Sequence, residues 1–155
     1  MKRYDRLIFV SNSDTAVGPM AEAILQSKFL LEELAITSKG LVVLFPEPIN
    51  PKAEAVLVSN GLSMKDHVSD PLEKEDLDER TLILTFSEAL RQKVLSEFEP
   101  EHEELVRVLT DYVGIEGELM NPYGGTLADY GLCYEGLEVL ITRLVVQLNE
   151  EELLC

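Results

Sequence analysis

The chain has 155 residues, the usual size of one domain, and an apolar fraction of 46%, which suffices for an ordinary core. It carries 29 acidic and 13 basic residues, a net charge of −16, so we exclude nucleic acids and membrane surfaces as partners. Its two cysteines, Cys133 and Cys155, form no disulfide framework and favour a cytoplasmic location. The apolar runs are too short for a signal peptide or a membrane span, and we expect a single domain over residues 1–155.

Apolar runs that are short and continuous predict strands buried on both faces of a sheet. In chain order, these runs are Leu7–Val10, Gly40–Phe45, Thr81–Phe86 and Leu105–Thr110.

Helix start and stop signals separate the runs. Gly18-Pro19 predicts a helix that reaches about Glu33, because proline suits the first helical turn. Asn50-Pro51 predicts a second helix, with Gly61 as its stop. Ser87 can cap a third helix that runs to about Phe98.

The last helix follows Thr126-x-x-Asp129, which resembles a capping box. An apolar stripe at spacings of three and four residues then continues to Leu148. Strands that alternate with helices predict an α/β fold, three layers deep, with a four-stranded parallel sheet between helices. Ligands of such sheets bind where loops leave the carboxyl ends of strands, and the first such loop is Ser11–Gly18.

The first strand, this loop and the next helix carry a family resemblance. The sequence Val10-Ser-Asn-Ser-Asp-Thr-Ala-Val-Gly-Pro-Met-Ala-Glu-Ala23 resembles the motif Val-Cys-x-Gly-Asn-x-Cys-Arg-Ser-Pro-Met-Ala-Glu-Ala of the low-molecular-weight protein tyrosine phosphatases. Near the C-terminus, Asn121-Pro122-Tyr123 resembles the family's Asp-Pro-Tyr loop. The resemblance extends from about Arg6 to Leu148 and implies the Rossmann-like fold of phosphotyrosine protein phosphatase I.

The resemblance also implies a role for each position that differs. Ser11 stands where the family has its nucleophilic cysteine, and Val17 stands where an arginine clamps the phosphate. Gly18 replaces a serine that helps to stabilise the thiolate, and Asn121 replaces the aspartate that acts as general acid. A neutral hydroxyl does not replace a thiolate, and an amide cannot protonate a leaving group. The expected protein is a pseudophosphatase with no intact catalytic residue and no cofactor.

A binding role is the corresponding expectation. Asp14 adds a negative charge beside the anion site, so the vestigial cleft is expected to prefer a basic or neutral segment of an unidentified protein partner. The predicted binding residues surround this cleft: Ser11, Asn12, Ser13, Asp14, Thr15, Ala16, Val17, Phe45, Pro122 and Tyr123.

Three alternatives remain open at this point. The chain could be a weakly active or altered hydrolase of the same family, or serve assembly of a complex without a ligand in the cleft. The likeness of the loop could also be chance. His67 and His102 lack cysteines or acids at metal-ligand spacing, so structural or surface roles and no metal site are expected. We expect Cys133 to be a core thiol.

Overall fold

The architecture is described by a computed structural model that covers residues 3–152. Its centre is a sheet of four parallel strands in the order β2-β1-β3-β4. The strands are β1 (Arg6–Ser11), β2 (Ala35–Gly40), β3 (Thr81–Thr85) and β4 (Val106–Val108). The predicted α/β fold with a four-stranded parallel sheet is confirmed.

Five α-helices accompany the sheet in the described part of the chain. They are α1 (Val17–Gln26), α2 (Pro51–Ser59), α3 (Glu88–Phe98), α4 (Leu109–Tyr112) and α5 (Leu127–Gln147). Short 3₁₀ turns occupy Lys74–Asp76 and Glu103–Leu105, and a π turn, Leu148–Glu152, follows α5. No helix within residues 3–152 has both the length and the apolar character needed to cross a membrane.

The two faces of the sheet have separate cores because side chains alternate along each strand. Leu7 and Phe9 of β1 face the larger core, which α1, α2 and α5 complete. Ile8 and Val10 face the smaller core, to which Val94 of α3 contributes. Helices therefore cover both faces of the sheet, as in a three-layer α/β/α arrangement.

The predicted helix signals act as expected at three helices. The Asn50 side chain accepts hydrogen bonds from the N–H groups of Lys52 and Ala53, and Pro51 opens α2. Ser87 Oγ accepts from the N–H of Leu90 at 3.2 Å and caps α3. Reciprocal bonds between Thr126 and Asp129 form a capping box at α5. Each cap satisfies N–H groups that have no partner inside the helix.

The predicted second strand, Gly40–Phe45, is wrong. The strand is Ala35–Gly40, and the apolar residues after it form a loop in which Leu44 is 88% exposed. Because β2 is an edge strand, it tolerates polar residues such as Thr37 and Lys39. A search for continuous apolar runs therefore misses this strand.

Two other predicted boundaries are corrected. Helix α1 ends at Gln26 and not near Glu33, since the Ser27 hydroxyl donates to Ile24 O at 2.6 Å and the chain then leaves the core. The run Leu105–Thr110 supplies only three strand residues, because Leu105 belongs to a 3₁₀ turn and the chain turns into α4 at Leu109.

Candidate functional site

The segment of residues 11–18 joins the carboxyl end of β1 to the first turn of α1. Ser11 ends the strand, and its Oγ accepts a hydrogen bond from the N–H of Asp14 at 3.1 Å. Asp14 has a φ of 59°, a left-handed conformation that reverses the chain. Ala16 precedes the helix without a side-chain cap, so no capping side chain accepts from the first amides of α1.

Asp14 fixes this segment to the rest of the molecule, and it is fully buried. Its Oδ2 accepts a hydrogen bond from the N–H of Asp70 at 3.0 Å. Its main-chain oxygen lies 2.7 Å from Nε2 of His67, and this nitrogen must carry the proton because a carbonyl only accepts. The expectation of a structural role for His67 agrees with this contact.

Burial controls the titration of the two carboxyl groups here. Burial raises the pKa of Asp14, while the nearby Ser38 hydroxyl, His67 and the N–H of Asp70 oppose that rise. Neither Asp14 Oδ1 nor Ser38 Oγ has a hydrogen-bond partner among the described residues, so burial dominates the pKa of Asp14. Burial likewise raises the pKa of Glu22, on the first turns of α1.

The 11–18 segment borders a cavity of about 670 Å³, here called the cleft. One wall comes from this segment: Ser11, Asn12, Ser13, Thr15, Ala16 and Val17. A second wall follows the carboxyl end of β3 into α3: Phe86, Ser87, Ala89, Leu90 and Lys93. The third comes from residues before and within α5, together with one from before α2: Glu118, Leu119, Met120, Asn121, Tyr123, Tyr130 and Asn50.

The structure therefore brings Ser11, Val17 and Asn121 to one cavity, although the last is far from the others in sequence. Asn121 Oδ1 accepts a hydrogen bond from the N–H of Tyr123 at 3.0 Å, and the Tyr123 ring is 88% exposed at the rim. Thr15 also lines the cleft, and its hydroxyl is 2.8 Å from that of Ser13.

Four predicted site residues do not line the cleft. Asp14 and Gly18 are buried behind it, and Pro122 is buried beside Tyr123. Phe45 is 63% exposed on the loop after β2, whose backbone meets the 11–18 segment where the N–H of Val42 donates to Asn12 O.

Several lining residues were not identified from the sequence. Phe86 and Ser87 directly follow β3, so the rule that ligands bind at the carboxyl ends of parallel strands could have found them. Lys93 and Glu118 gave no such signal, because only the packing of α3 against the 118–123 loop brings them to the cleft.

A second cavity, of about 710 Å³, lies between α2 and α5 and has Ala55, Ala128 and Gly131 among its lining residues. It is slightly larger, but it lies away from the carboxyl ends of the strands, so we assign the candidate site to the cleft. Within residues 3–152, no group of three or more His, Cys, Asp or Glu side chains is arranged to hold a metal ion.

Comparison with known proteins identifies the family. The family model described as low molecular weight phosphotyrosine protein phosphatase matches residues 6–153. The chain belongs to this family. It is 30% identical over 148 residues to a protein-arginine-phosphatase of Geobacillus stearothermophilus, which covers 95% of this chain and 98% of the relative.

Two further relatives of this chain are known as proteins or as solved structures. The low molecular weight protein-tyrosine-phosphatase PtpB of Staphylococcus haemolyticus is 29% identical over 139 residues, which are 90% of this chain and 96% of the relative. A solved structure of a cysteine-to-serine mutant of the arginine phosphatase YwlE, with a phosphorylated active-site serine, has a TM-score of 0.85 at 30% identity. That match covers 94% of this chain and 97% of the mutant's chain.

Proposed function

We propose that this low molecular weight phosphatase homologue is a pseudophosphatase that acts by binding. The observation that carries the proposal is the chemistry of one cavity, which Ser11, Val17 and Asn121 line together. The family motif has a cysteine, an arginine and an aspartate at these positions. In this proposal, replacement of the cysteine, the arginine and the aspartate abolishes the phosphatase reaction, and the protein acts in the cytoplasm.

The nucleophile position is the first part of this argument. The hydroxyl of Ser11 needs a base to become an effective nucleophile, whereas a thiolate of low pKa does not. Neither His67 nor His102 lines the cleft, and the His67 ring contacts Asp14 instead. Ser11 Oγ itself accepts the N–H of Asp14, which fits a structural use of this hydroxyl.

The anion clamp and the acid are the second part. Arginine gives phosphate two charge-assisted hydrogen bonds, each contributing about 1.5–3 kcal/mol, and Val17 gives none. General acid catalysis contributes about 10²–10⁴-fold, and Asn121 has no proton to donate to a leaving group. Lys93 is the single cation among the residues that line the cleft, and Glu118 adds a negative charge to the same lining.

The character of the cleft supports a protein segment as its ligand. Hydroxyl and amide groups cover the 11–18 side, while Leu119, Met120 and the exposed ring of Tyr123 form an apolar rim. Such a surface matches neutral peptide groups and aromatic or aliphatic side chains. A net charge of −16 favours a basic segment over an acidic one, because long-range attraction raises the rate of encounter.

Steady-state assays with para-nitrophenyl phosphate and with a phosphoarginine peptide test the loss of catalysis. We expect no turnover by the unmodified protein and measurable turnover by the triple variant Ser11→Cys, Val17→Arg, Asn121→Asp. The matched control carries Ser11→Ala with the same two other changes and should remain inactive. Turnover by the unmodified protein that Ser11→Ala abolishes would overturn the proposal.

A second candidate function is phosphoryl transfer to Ser11, and one comparison favours it. The cysteine-to-serine mutant of YwlE carries a phosphorylated serine in its active site, so a serine in this family can hold a phosphoryl group. In such a step the P–N bond of a phosphoarginine breaks, a P–O bond forms to Ser11, and the hydroxyl proton goes to the leaving nitrogen. Intact mass spectrometry after incubation with the phosphoarginine peptide decides: an added phosphoryl group on the wild type, absent from Ser11→Ala, supports this candidate.

A further inference from the structure

A buried carboxylate lies directly behind the cleft wall. Asp14 is 0% exposed, and a Cβ atom on Gly18 would lie 3.3 Å from its Oδ1 and 3.2 Å from Ser11 Oγ. Oδ1 and the hydroxyl of Ser11 therefore face the same small space at the start of α1. These two distances place Oδ1 at most 6.5 Å from Ser11 Oγ (3.3 Å plus 3.2 Å), and Ser11 lines the cleft.

Few groups compensate the negative charge of this carboxylate. Oδ2 accepts one N–H, that of Asp70, and Oδ1 has no hydrogen-bond partner among the described residues. Nε2 of His67 is 3.7 Å from Oδ2, but this contact is an ion pair only when the imidazole is protonated. An unprotonated His67 leaves the cleft next to an unbalanced buried charge.

We propose that the Asp14 carboxylate makes the cleft discriminate against anions, and that protonation of this carboxylate removes the discrimination. The inference deepens the proposed function and rests on it, because it treats the cleft as a binding site and states which ligands it rejects. The amides at the start of α1 attract anions, whereas a fixed negative charge behind them repels a dianion strongly in a medium of low dielectric constant. With Val17 in the wall, no guanidinium there offsets this repulsion.

The pH dependence follows from the groups that surround Asp14. Glu22 approaches from α1, while His67 and Asp70 approach from the loop after α2. The side chain of Asp70 is itself paired with Lys39 of β2 at 2.7 Å. Burial raises the pKa of Asp14 above its ordinary value, so as the pH falls this carboxylate gains its proton earlier than an ordinary aspartate does.

Sulfate is a suitable probe, because it remains a dianion across the whole range and has no leaving group. The amide resonances of residues 11–18 are followed by NMR during titration with sodium sulfate at constant ionic strength, near pH 5 and near pH 7.5. An ordinary aspartate stays mostly ionised at both of these pH values. For the wild type we expect tighter binding at the lower pH. Asp14→Asn keeps an oxygen for the N–H of Asp70 and should bind sulfate about tenfold or more tightly at the higher pH, with a smaller pH dependence than the wild type.

Two charge-matched controls make the test specific. Glu22→Gln removes a neighbouring carboxylate outside the 11–18 segment, and Glu116→Gln removes an exposed one. We expect Glu22→Gln to increase the affinity for sulfate less than Asp14→Asn does, and Glu116→Gln to leave it almost unchanged. Equal tightening by all three variants would overturn the inference, since net charge would then explain the result. Failure of Asp14→Asn to bind sulfate better than the wild type at the higher pH would overturn it as well.

The outcome is independent of catalysis. If the unmodified protein hydrolyses para-nitrophenyl phosphate, the proposed function fails, yet sulfate affinity still decides the role of Asp14. If the protein is inactive and Asp14→Asn leaves sulfate binding unchanged, the pseudophosphatase proposal stands and this inference fails.

Discussion

Nε2–H of His67 donates a hydrogen bond to the main-chain oxygen of Asp14 at 2.7 Å, across 53 positions of sequence. The contact ties the loop after α2 to the left-handed turn that leads into α1. The His67 side chain is only 6% exposed, so water has little access to replace the bond. The shape of the cleft wall therefore depends on a residue that does not line it.

Removal of this imidazole should destabilise the fold. His67→Ala leaves the carbonyl of Asp14 without its donor in a buried environment, and we expect the free energy of unfolding to fall by about 1–3 kcal/mol. Urea denaturation measures the change. His102→Ala is the control, because the His102 side chain is more exposed and contacts the surface carboxylate of Glu104, so its effect should stay within about 0.5 kcal/mol. Equal losses in the two variants would contradict a bracing role for His67.

The pH dependence of stability should report the carboxyl group of Glu22. Burial raises the pKa of Glu22 in the folded protein, so between the ordinary and the raised pKa the folded state binds more protons than the unfolded state. The contribution of Glu22 to stability is complete below about pH 4 and is lost as the pH rises through the raised value.

Urea denaturation of the wild type and of Glu22→Gln, from about pH 4 to pH 8, measures this loss. We expect the variant to gain stability relative to the wild type as the pH increases. Glu116→Gln, which removes an exposed carboxylate, should follow the wild-type profile much more closely. Wild-type and Glu22→Gln curves that remain parallel over the whole range would show that burial of Glu22 has no such effect.

The sequence predicts the elements that carry their own local signals. Asn50, Ser87 and Thr126 mark helix starts because a cap involves residues only two or three positions apart. The sequence-based prediction misplaces β2. As an edge strand, β2 needs no continuous run of apolar residues, and the exposed loop after it is more apolar than the strand itself.

The candidate site divides in the same way. The wall formed by the 11–18 segment could be predicted, because the carboxyl ends of parallel strands meet at one edge of the sheet. The positions of Lys93 and Glu118 depend on how α3 packs against a distant loop, and no local pattern encodes that. The contact between His67 and Asp14 is equally nonlocal. The sequence draws attention to each of the two residues, but nothing in it indicates that they meet.

Cys133 should be unreactive in the folded protein. Its side chain is 0% exposed, and burial raises the pKa of the thiol to about 12, so little thiolate forms at neutral pH. In a Cys155→Ser background, we expect Ellman's reagent to modify Cys133 only at the rate of unfolding, and guanidinium chloride to accelerate the reaction. Addition of Ser11→Cys to this background provides the control, because that thiol lies in the open cleft and should react rapidly. Rapid modification of Cys133 without denaturant would show that α5 opens readily.

Two glycine-to-alanine substitutions should change stability in opposite directions. A Cβ on Gly40 would lie 2.8 Å from Val43 Cγ2 and 3.0 Å from both Asn12 O and Ser13 C, so backbone of the cleft wall must move. We expect Gly40→Ala to lower the free energy of unfolding by about 1–3 kcal/mol, as other overpacking changes do. A Cβ on Gly131 meets no atom within 4 Å outside its own helix, so Gly131→Ala should raise the free energy of unfolding by up to about 1 kcal/mol.

Urea denaturation gives the sign of each change, and amide NMR shifts of Asn12 and Ser13 locate the effect of Gly40→Ala. These shifts should move in Gly40→Ala and remain constant in Gly131→Ala, since Gly131 belongs to α5 and does not line the cleft. A Gly40→Ala variant of unchanged stability and unchanged shifts would mean that the loop after β2 does not support the 11–18 segment. Lower stability together with shifted amide resonances would make Gly40 a structural determinant of the cleft. Only a residue without a side chain permits the close contact between the loop after β2 and the 11–18 segment.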